Sequence, residues 1–175
     1  AGGMPMVVPL SQDDLPPFDN ESLQVTYDYW HGYRHLAREN LTARFPLGFG
    51  LTYSTLEYQN IRLSTDTITA DGEVIVSIDV RNSGGRQVSA LIQVYTSGGT
   101  AVERAPKDLR AFSRVDIEPG AIATVELVLD AGRVSRYWAD GAWIYEAGTF
   151  TVYAGPNSQE LPLEASLSIT APTVP

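Results

Sequence analysis

The sequence contains no cysteine and only one lysine, Lys107. The lack of cysteine excludes disulfide bonds, catalysis by a thiolate and the usual zinc sites built on cysteine. Twelve basic residues stand against 21 acidic ones, giving a formal net charge of −9. A nucleic-acid partner is therefore not expected, because binding a polyanion requires a basic patch. No apolar run approaches the roughly 20 residues of a membrane-spanning helix, so no membrane partner is expected either.

The length and the N-terminus bear on how the chain is organised. With 175 residues, the sequence predicts one domain plus a linker rather than two full domains. The first residues, Ala1 to Pro5, show neither the charged nor the apolar region of a signal peptide, and we interpret them as an internal cut. A secreted or periplasmic location is slightly favoured over a cytoplasmic one.

The first 55 residues differ from the rest in composition and in the periodicity of apolar residues. They are rich in proline and show no sustained period of two or 3.6 residues, which indicates an extended segment. They also contain many aromatic side chains: Phe18, Tyr27, Tyr29, Trp30, Tyr33, Phe45, Phe49 and Tyr53. Disordered linkers are poor in such residues, so these rings need a surface to cover. We expect residues 10 to 50 to lack regular structure.

From about residue 56, short alternating runs are separated by turn signals. One apolar face is formed by Val74, Val76, Ile78 and Val80, and the run ends at a Gly84-Gly85 pair that predicts a hairpin or a tight corner. The strands are expected at 56–63, 74–80, 88–94, 109–117, 122–129, 142–146, 149–154 and 161–169. Seven or eight short strands at regular spacing are typical of an all-β sandwich.

Catalytic and ligand-binding patterns are sparse. Most acidic residues lie in turns, where aspartate is favoured for backbone reasons, so no catalytic carboxylate pair is assigned. His31 and His35 have the i, i+4 spacing of a helical metal pair, but Gly32 stands where a zinc protease has its glutamate, and no metal or cofactor is assigned. The aromatic group of Tyr137, Trp138, Trp143 and Tyr145 has two interpretations. It forms either a platform for stacking sugars or, as we favour, part of the packing of the sandwich.

Several ordered motifs resemble one known family. They are Tyr29-Trp30-His31-Gly32-Tyr33-Arg34, Arg44-Phe45-Pro46-Leu47-Gly48-Phe49-Gly50-Leu51-Thr52-Tyr53, Val80-Arg81-Asn82-Ser83-Gly84, Gln93-Val94-Tyr95 and Arg104-Ala105-Pro106-Lys107-Asp108-Leu109-Arg110-Ala111-Phe112. In order, they are similar to the G-Y-R turn, the F-P-F-G-x-G-L-S-Y-T segment, the V-x-N-x-G strand end, the Q-x-Y strand and the R-P-x-K-x-L-x-G-F run of family 3 glycoside hydrolases. Departures such as Leu47 for phenylalanine and Ala111 for glycine are mild. The resemblance covers nearly the whole chain.

The resemblance implies a fold and an accessory role. It implies an antiparallel β-sandwich of the fibronectin type III-like, immunoglobulin-like kind over residues 56–171, preceded by an extended aromatic-rich linker at 11–55 and by the end of an α/β sandwich domain at 1–10. The catalytic aspartate and glutamate of the family lie in regions that these motifs do not include, so no catalytic residue is assigned. The implied partners are the catalytic domains of the same enzyme, which would contact a β-glucoside or related substrate. Oligomerisation is possible.

Six residues of the linker are candidates for docking against the neighbouring domains: Tyr29, Trp30, Tyr33, Arg34, Phe45 and Phe49. For Arg34 we expect stacking on a ring while its guanidinium holds a carboxylate or backbone carbonyls. Trp143, on an apolar strand, is expected in the core. Two alternatives remain open, a stand-alone carbohydrate-binding module and a structural or oligomerising sandwich.

Overall fold

A computed structural model describes residues 2–17, 19 and 21–171, so Phe18 lies outside the described residues. The strands of the sandwich are β3 (Leu56–Leu63), β4 (Thr67–Thr69), β5 (Glu73–Asn82), β6 (Val88–Gly98), β7 (Asp108–Ile117), β8 (Ile122–Asp130), β11 (Gly148–Gly155) and β12 (Leu163–Thr170). The N-terminal segment, residues 2–55, contains β1 (Val8–Pro9), helix α1 (Tyr33–Arg38) and β2 (Ala43–Phe45). Helix α2 (Ala131–Ser135) and the strands β9 (Arg136–Ala139) and β10 (Ala142–Tyr145) are inserted between β8 and β11.

Two sheets enclose one core. The five-stranded sheet has the order β4-β12-β11-β6-β7, and the three-stranded sheet has the order β3-β5-β8. Val76, Ile78 and Val80 of β5 meet Ile92 of β6 and Phe150 of β11 in this core, and all five are at most 1% exposed. The predicted sandwich is confirmed, and the strand alternation correctly identified the buried faces of β5 and β6. Since these two strands lie in different sheets, the Gly84-Gly85 pair forms a corner rather than a hairpin.

One strand pair departs from the antiparallel pattern. The three-residue β4 pairs in parallel with β12, with Ile68 opposite Ile169. The sequence did not predict β4, because a strand of three residues is too short to show an alternation. Both isoleucines are buried in the core, and this packing holds the short strand at the sheet edge.

The N-terminal segment covers the outer face of the five-stranded sheet. On β6, Leu91 and Tyr95 alternate with the core residues and point outward, towards the segment. The ring of Tyr33 packs edge-on against that of Tyr95, with centroids 5.9 Å apart, and Gly3 lies close against Leu91. Tyr95 is fully buried as a result. Tyr33 therefore has a surface to cover within the chain itself.

The expectation that residues 10 to 50 lack regular structure was wrong in part. Helix α1 buries Leu36, and it ends where Asn40 adopts a left-handed conformation with φ of 54°. Strand β2 pairs with β1, with Val8 opposite Phe45. A six-residue helix contains too few turns to produce a visible helical period, and for this reason the sequence pattern did not reveal it.

The prediction that Trp143 belongs to the core was also wrong. Trp143 is 55% exposed and Trp138 is 58% exposed. The two residues lie directly opposite each other on β9 and β10, a separate two-stranded hairpin outside both main sheets. The alternation of a strand says which side chains share a face but not whether another layer covers that face.

Candidate functional site

A buried carboxylate, Asp108 at the start of β7, joins the N-terminal segment to the sandwich. Its Oδ1 accepts hydrogen bonds from Arg34 Nε and Nη2 at 2.9 and 2.7 Å and from the Tyr33 hydroxyl at 2.9 Å. Its Oδ2 lies 3.2 Å from Arg110 Nη2. The side chain of Asp108 is only 10% exposed, so its charge is held by two guanidinium groups and one phenol rather than by solvent.

Tyr33 connects this carboxylate to the backbone of β7. Its hydroxyl oxygen accepts a hydrogen bond from the Leu109 amide at 3.1 Å while donating to Asp108. Burial raises the pKa of Tyr33 to about 12, and the neighbouring carboxylate of Asp108 adds to this increase. The phenol therefore stays protonated, as its role as a donor to Asp108 requires.

Arg34 makes the two contacts expected of it. Its Cζ lies 4.7 Å from the ring centroid of Tyr29 and 5.4 Å from that of Tyr33, while its guanidinium binds Asp108. The Tyr29 hydroxyl accepts a hydrogen bond from the Ala105 amide at 3.2 Å. These partners all belong to this chain, so Arg34 attaches the N-terminal segment to its own sandwich.

The remaining docking candidates lie nearby in the segment but do not join this cluster. Trp30 packs edge-on against Tyr29 at 5.0 Å and stacks with Arg38, and it remains partly exposed. Phe45 and Phe49 pack on each other at 5.0 Å at the other end of the segment. The structure thus divides the six candidates into Tyr29, Tyr33 and Arg34 around Asp108, Trp30 beside this cluster, and a separate phenylalanine pair.

Replacing Arg34 should test the need for the planar guanidinium. Arg34→Lys and Arg34→Ala should both lower the free energy of unfolding by about 1.5 to 3 kcal/mol, because lysine loses both the ring stacking and the paired donors to Asp108. The measurement is urea unfolding of the chain. Arg44→Lys, at an exposed position of the same segment, is the control and should change stability by less than about 0.5 kcal/mol. Native stability in Arg34→Lys would show that only the positive charge matters.

A second ion pair links the hairpin to the sandwich. Glu146, just after β10, accepts hydrogen bonds from the amides of Thr100 and Ala101 and lies 3.0 Å from Arg104 Nη2. Arg104 Nη2 also donates to the Ser135 carbonyl at 2.7 Å, at the end of α2. Burial raises the pKa of Glu146, but the two amides and Arg104 outweigh it, and the resulting pKa lies below the ordinary value.

This lowered pKa predicts a defined pH dependence. A carboxyl group whose pKa falls on folding contributes stability above its ordinary pKa, near 4.5, and loses it as the pH drops through the lower folded value. The stability difference between the native chain and Glu146→Gln should therefore be largest at neutral pH and shrink below about pH 4.5. Urea melts at several pH values measure it, with Glu164→Gln at an exposed site of β12 as the control. A difference that does not change with pH would show that the ionised form of Glu146 is not what stabilises the fold.

An open groove of about 520 Å³ lies between the hairpin and the Asp108 cluster. Its lining includes Tyr29, Trp138, Trp143, Asp108, Arg110, Arg133 and Arg136. The indole rings of Trp138 and Trp143 are perpendicular, with centroids 5.4 Å apart, and Arg136 Cζ lies 4.7 Å from the Trp143 ring. Aromatic faces and fixed polar groups thus meet in one concave surface.

The carboxyl groups with shifted pKa values make contacts that are typical of a structural role. Hydrogen-bond donors lower the pKa values of Asp71, Asp79 and Glu146, whereas a general acid for glycoside cleavage needs a raised one. Within the described ranges, no group of three or more His, Asp or Glu side chains is arranged to hold a metal ion. In the same part of the chain, neither helix has the length and apolar character required to span a bilayer.

Sequence reasoning did not identify Asp108 and Arg110 as site residues. Both belong to the run from Arg104 to Phe112 that carries part of the family resemblance, and that run was the available signal. Their partner Arg34 is 74 residues away in sequence, a distance at which no local pattern indicates contact. For the groove residues Trp138 and Trp143, the sequence pattern favours packing over a platform for sugars.

The comparisons with known proteins agree with this architecture. Residues 90–158 match the family model described as a fibronectin type III-like domain. The chain is 32% identical to a β-glucosidase of Kluyveromyces marxianus over 91% of its own length and 20% of the relative, and 32% identical to β-glucosidase cel3A of Pyricularia oryzae over 78% and 22%. Its fold matches the crystal structure of a family 3 β-glucosidase from Bifidobacterium adolescentis with a TM-score of 0.82 and 25% identity, covering 94% of this chain and 25% of that one.

The family model identifies the type of domain in this chain, and the relatives are larger proteins that contain such a region. The chain contains a fibronectin type III-like β-sandwich. It corresponds to the portion of family 3 β-glucosidases that carries this domain, a non-catalytic part of those larger enzymes. It spans about a fifth of the length of the curated relatives it matches. The resemblance inferred from the sequence motifs is confirmed.

Proposed function

We propose that this chain is the accessory, stabilising region of a larger enzyme that hydrolyses β-glucosides or related β-linked sugars by a retaining, two-carboxylate mechanism. The observation that carries the proposal is the match of 78% and 91% of the chain to about a fifth of two β-glucosidase relatives. In the retaining mechanism one carboxylate attacks the sugar and a second acts as acid and then base. Both groups would come from the rest of such an enzyme.

The outer surface of the N-terminal segment supports docking against other domains. Tyr53 is 91% exposed, Leu51 76%, Tyr27 73%, and Leu23 is fully exposed. Burying these apolar side chains under a neighbouring domain would be favourable, because it removes apolar surface from water. The proposed domain division is the one that the family resemblance implies: residues 1–10 end the preceding α/β domain, 11–55 form the linker that contacts both neighbours, and 56–171 form the sandwich.

The geometry refines the role of the six docking candidates. Tyr33 and Arg34 face inward and hold the segment on the sandwich, whereas Tyr29, at 42% exposure, also presents an outer surface. Inter-domain docking by Tyr29, Trp30, Phe45 and Phe49 remains a proposal. On this view, the segment is fixed on one side by Asp108 and offers its other side to the catalytic domains.

Two activity assays test the accessory role. The isolated chain and the longer polypeptide that contains it are assayed on an aryl β-glucoside and an aryl β-xyloside. Turnover is expected only from the longer polypeptide. Hydrolysis by the isolated chain would show that it carries its own catalytic groups and would overturn the proposal.

A substitution at the exposed surface tests docking. Tyr53→Ala should lower the melting temperature of the longer polypeptide but leave that of the isolated chain unchanged, because only the former has a domain to cover this ring. Equal effects in both proteins would place the contact within this chain.

Sedimentation of the isolated chain tests the oligomerising alternative, and a stable dimer would favour that alternative over docking.

A further inference from the structure

The hairpin of β9 and β10 holds two indole rings rigidly at the surface. Its two-residue turn, Asp140-Gly141, has φ values of 52° and 76°, the left-handed pair that matches the twist of a tight hairpin. This turn fixes the register in which Trp138 lies directly opposite Trp143. The perpendicular contact between the rings and the stacking of Arg136 on Trp143 restrict both side chains further. The rings therefore need little ordering when a ligand arrives.

The polar groups of the groove are fixed as well. Arg110 donates from Nε to Thr96 Oγ1 at 2.9 Å and pairs with Asp108, which Arg34 holds from the other side. These contacts leave the groove with planar, pre-oriented side chains beside the two indoles. Arg133 and Arg136, both exposed, extend the polar edge next to the hairpin.

This combination matches the chemistry of a pyranose chain. A sugar ring has an apolar C–H face that packs on an indole and a rim of hydroxyl groups that exchange hydrogen bonds with planar polar side chains. The groove volume of about 520 Å³ lies within the range of about 300–1,000 Å³ found for small-molecule sites. Tryptophan, tyrosine and arginine are also enriched in protein interfaces, so contact with a protein is the outcome that the experiment must separate from sugar binding.

We propose that the groove lined by Trp138, Trp143 and Tyr29 binds a short pyranose oligosaccharide. The two indoles supply the stacking surfaces, and Arg110, Arg133 and Asp108 supply the hydrogen bonds that orient the hydroxyl groups. The site does not depend on the proposed accessory role. It belongs to this chain alone, so the whole 175-residue chain is the protein to test.

The three tryptophans of the chain give a direct test. Trp138 and Trp143 line the groove, and Trp30 does not. In NMR titrations of the chain with cellotetraose and with laminaritetraose, the indole N–H signals of Trp138 and Trp143 should move together and saturate, with a dissociation constant on the order of 1 mM. The Trp30 signal should stay in place. No movement at about 20 mM of either sugar, roughly twenty times the expected constant, would overturn the proposal.

Variants tested by calorimetry provide an independent check. Trp138→Ala and Trp143→Ala should each weaken binding at least tenfold, whereas Tyr53→Ala, which removes an even more exposed ring outside the groove, should leave it unchanged. Far-ultraviolet circular dichroism confirms that each variant folds, and the NMR titration of the unaltered chain decides the matter if one does not. Equal losses in all three variants, or indole signals that respond to protein concentration instead of sugar, would also overturn the proposal. The second result would identify the groove as a contact between copies of the chain.

Discussion

Replacing Asp108 with alanine is expected to lower the free energy of unfolding by about 3 to 5 kcal/mol. The substitution leaves Arg34 and Arg110 without the carboxylate that neutralises them in a part-buried site, and it removes the acceptor of the Tyr33 hydroxyl. Removing one member of a buried charge cluster costs far more than a surface pair contributes, because the remaining charges cannot return to water without disrupting the fold. Urea unfolding, followed by fluorescence and circular dichroism, measures the change.

Asp116→Ala is the matched control. Asp116 lies on the same strand, β7, but is exposed, so its loss should change stability by less than about 0.5 kcal/mol. The double variant Asp108→Ala with Arg34→Ala should lose less than the sum of the single variants, since the two residues share one interaction. A loss below about 1 kcal/mol in Asp108→Ala would show that the segment is held by its apolar contacts rather than by this cluster.

Asn82→Ala is expected to have an effect of similar size, about 3 to 5 kcal/mol. Asn82 is fully buried at the end of β5, and its side-chain amide donates to the carbonyls of Arg86 and Ile117 at 2.7 and 2.9 Å. Its side-chain oxygen accepts hydrogen bonds from the Ser54 hydroxyl and the Gly84 amide. Alanine would leave the buried Ile117 carbonyl and three part-buried groups without these partners. A buried polar group without a partner costs about 1 to 3 kcal/mol, and a part-buried one costs less.

The control for this prediction is Asn60→Ala on β3. Asn60 is exposed and donates only one side-chain hydrogen bond, to Asp79, so its replacement should cost less than about 1 kcal/mol. Both variants are compared by urea unfolding. Similar small losses of stability at the two positions would mean that water replaces the hydrogen bonds of Asn82. The bonds of Asn82 at the Gly84-Gly85 corner would then not be its main contribution to stability.

The strand pattern was predictable from the sequence, because burial on one face imposes a period of two on the residues. Strand β3 has the predicted bounds, and β5, β6 and β8 differ from them by a few residues at most. The order of the strands within the sheets could not be predicted in this way. It depends on pairings such as that of β6 with β11, which join residues more than fifty positions apart.

The errors have identifiable physical causes. Trp143 alternates correctly on its strand, but its hairpin has no covering layer, and an alternating pattern does not report the presence of a second layer. The Asp140-Gly141 pair between apolar residues is a strong signal for a tight hairpin, and it could have revealed β9 and the pairing of Trp138 with Trp143. The motif around Arg34 correctly indicated ring stacking and a carboxylate partner, but no spacing rule identified that carboxylate as Asp108.

The covering of the five-stranded sheet by the N-terminal segment has a consequence for the order of folding. The Ala43 amide donates a hydrogen bond to the side-chain oxygen of Gln159, 116 positions away in the sequence. The side-chain amide of Gln159 donates a hydrogen bond to the Leu41 carbonyl, 118 positions away. During synthesis the segment leaves the ribosome first, yet the strands that receive it emerge only afterwards. The segment therefore cannot dock on the sandwich until β11 and the loop after it are complete. Contacts this distant in sequence also slow folding, because the intervening chain must be ordered before they can form.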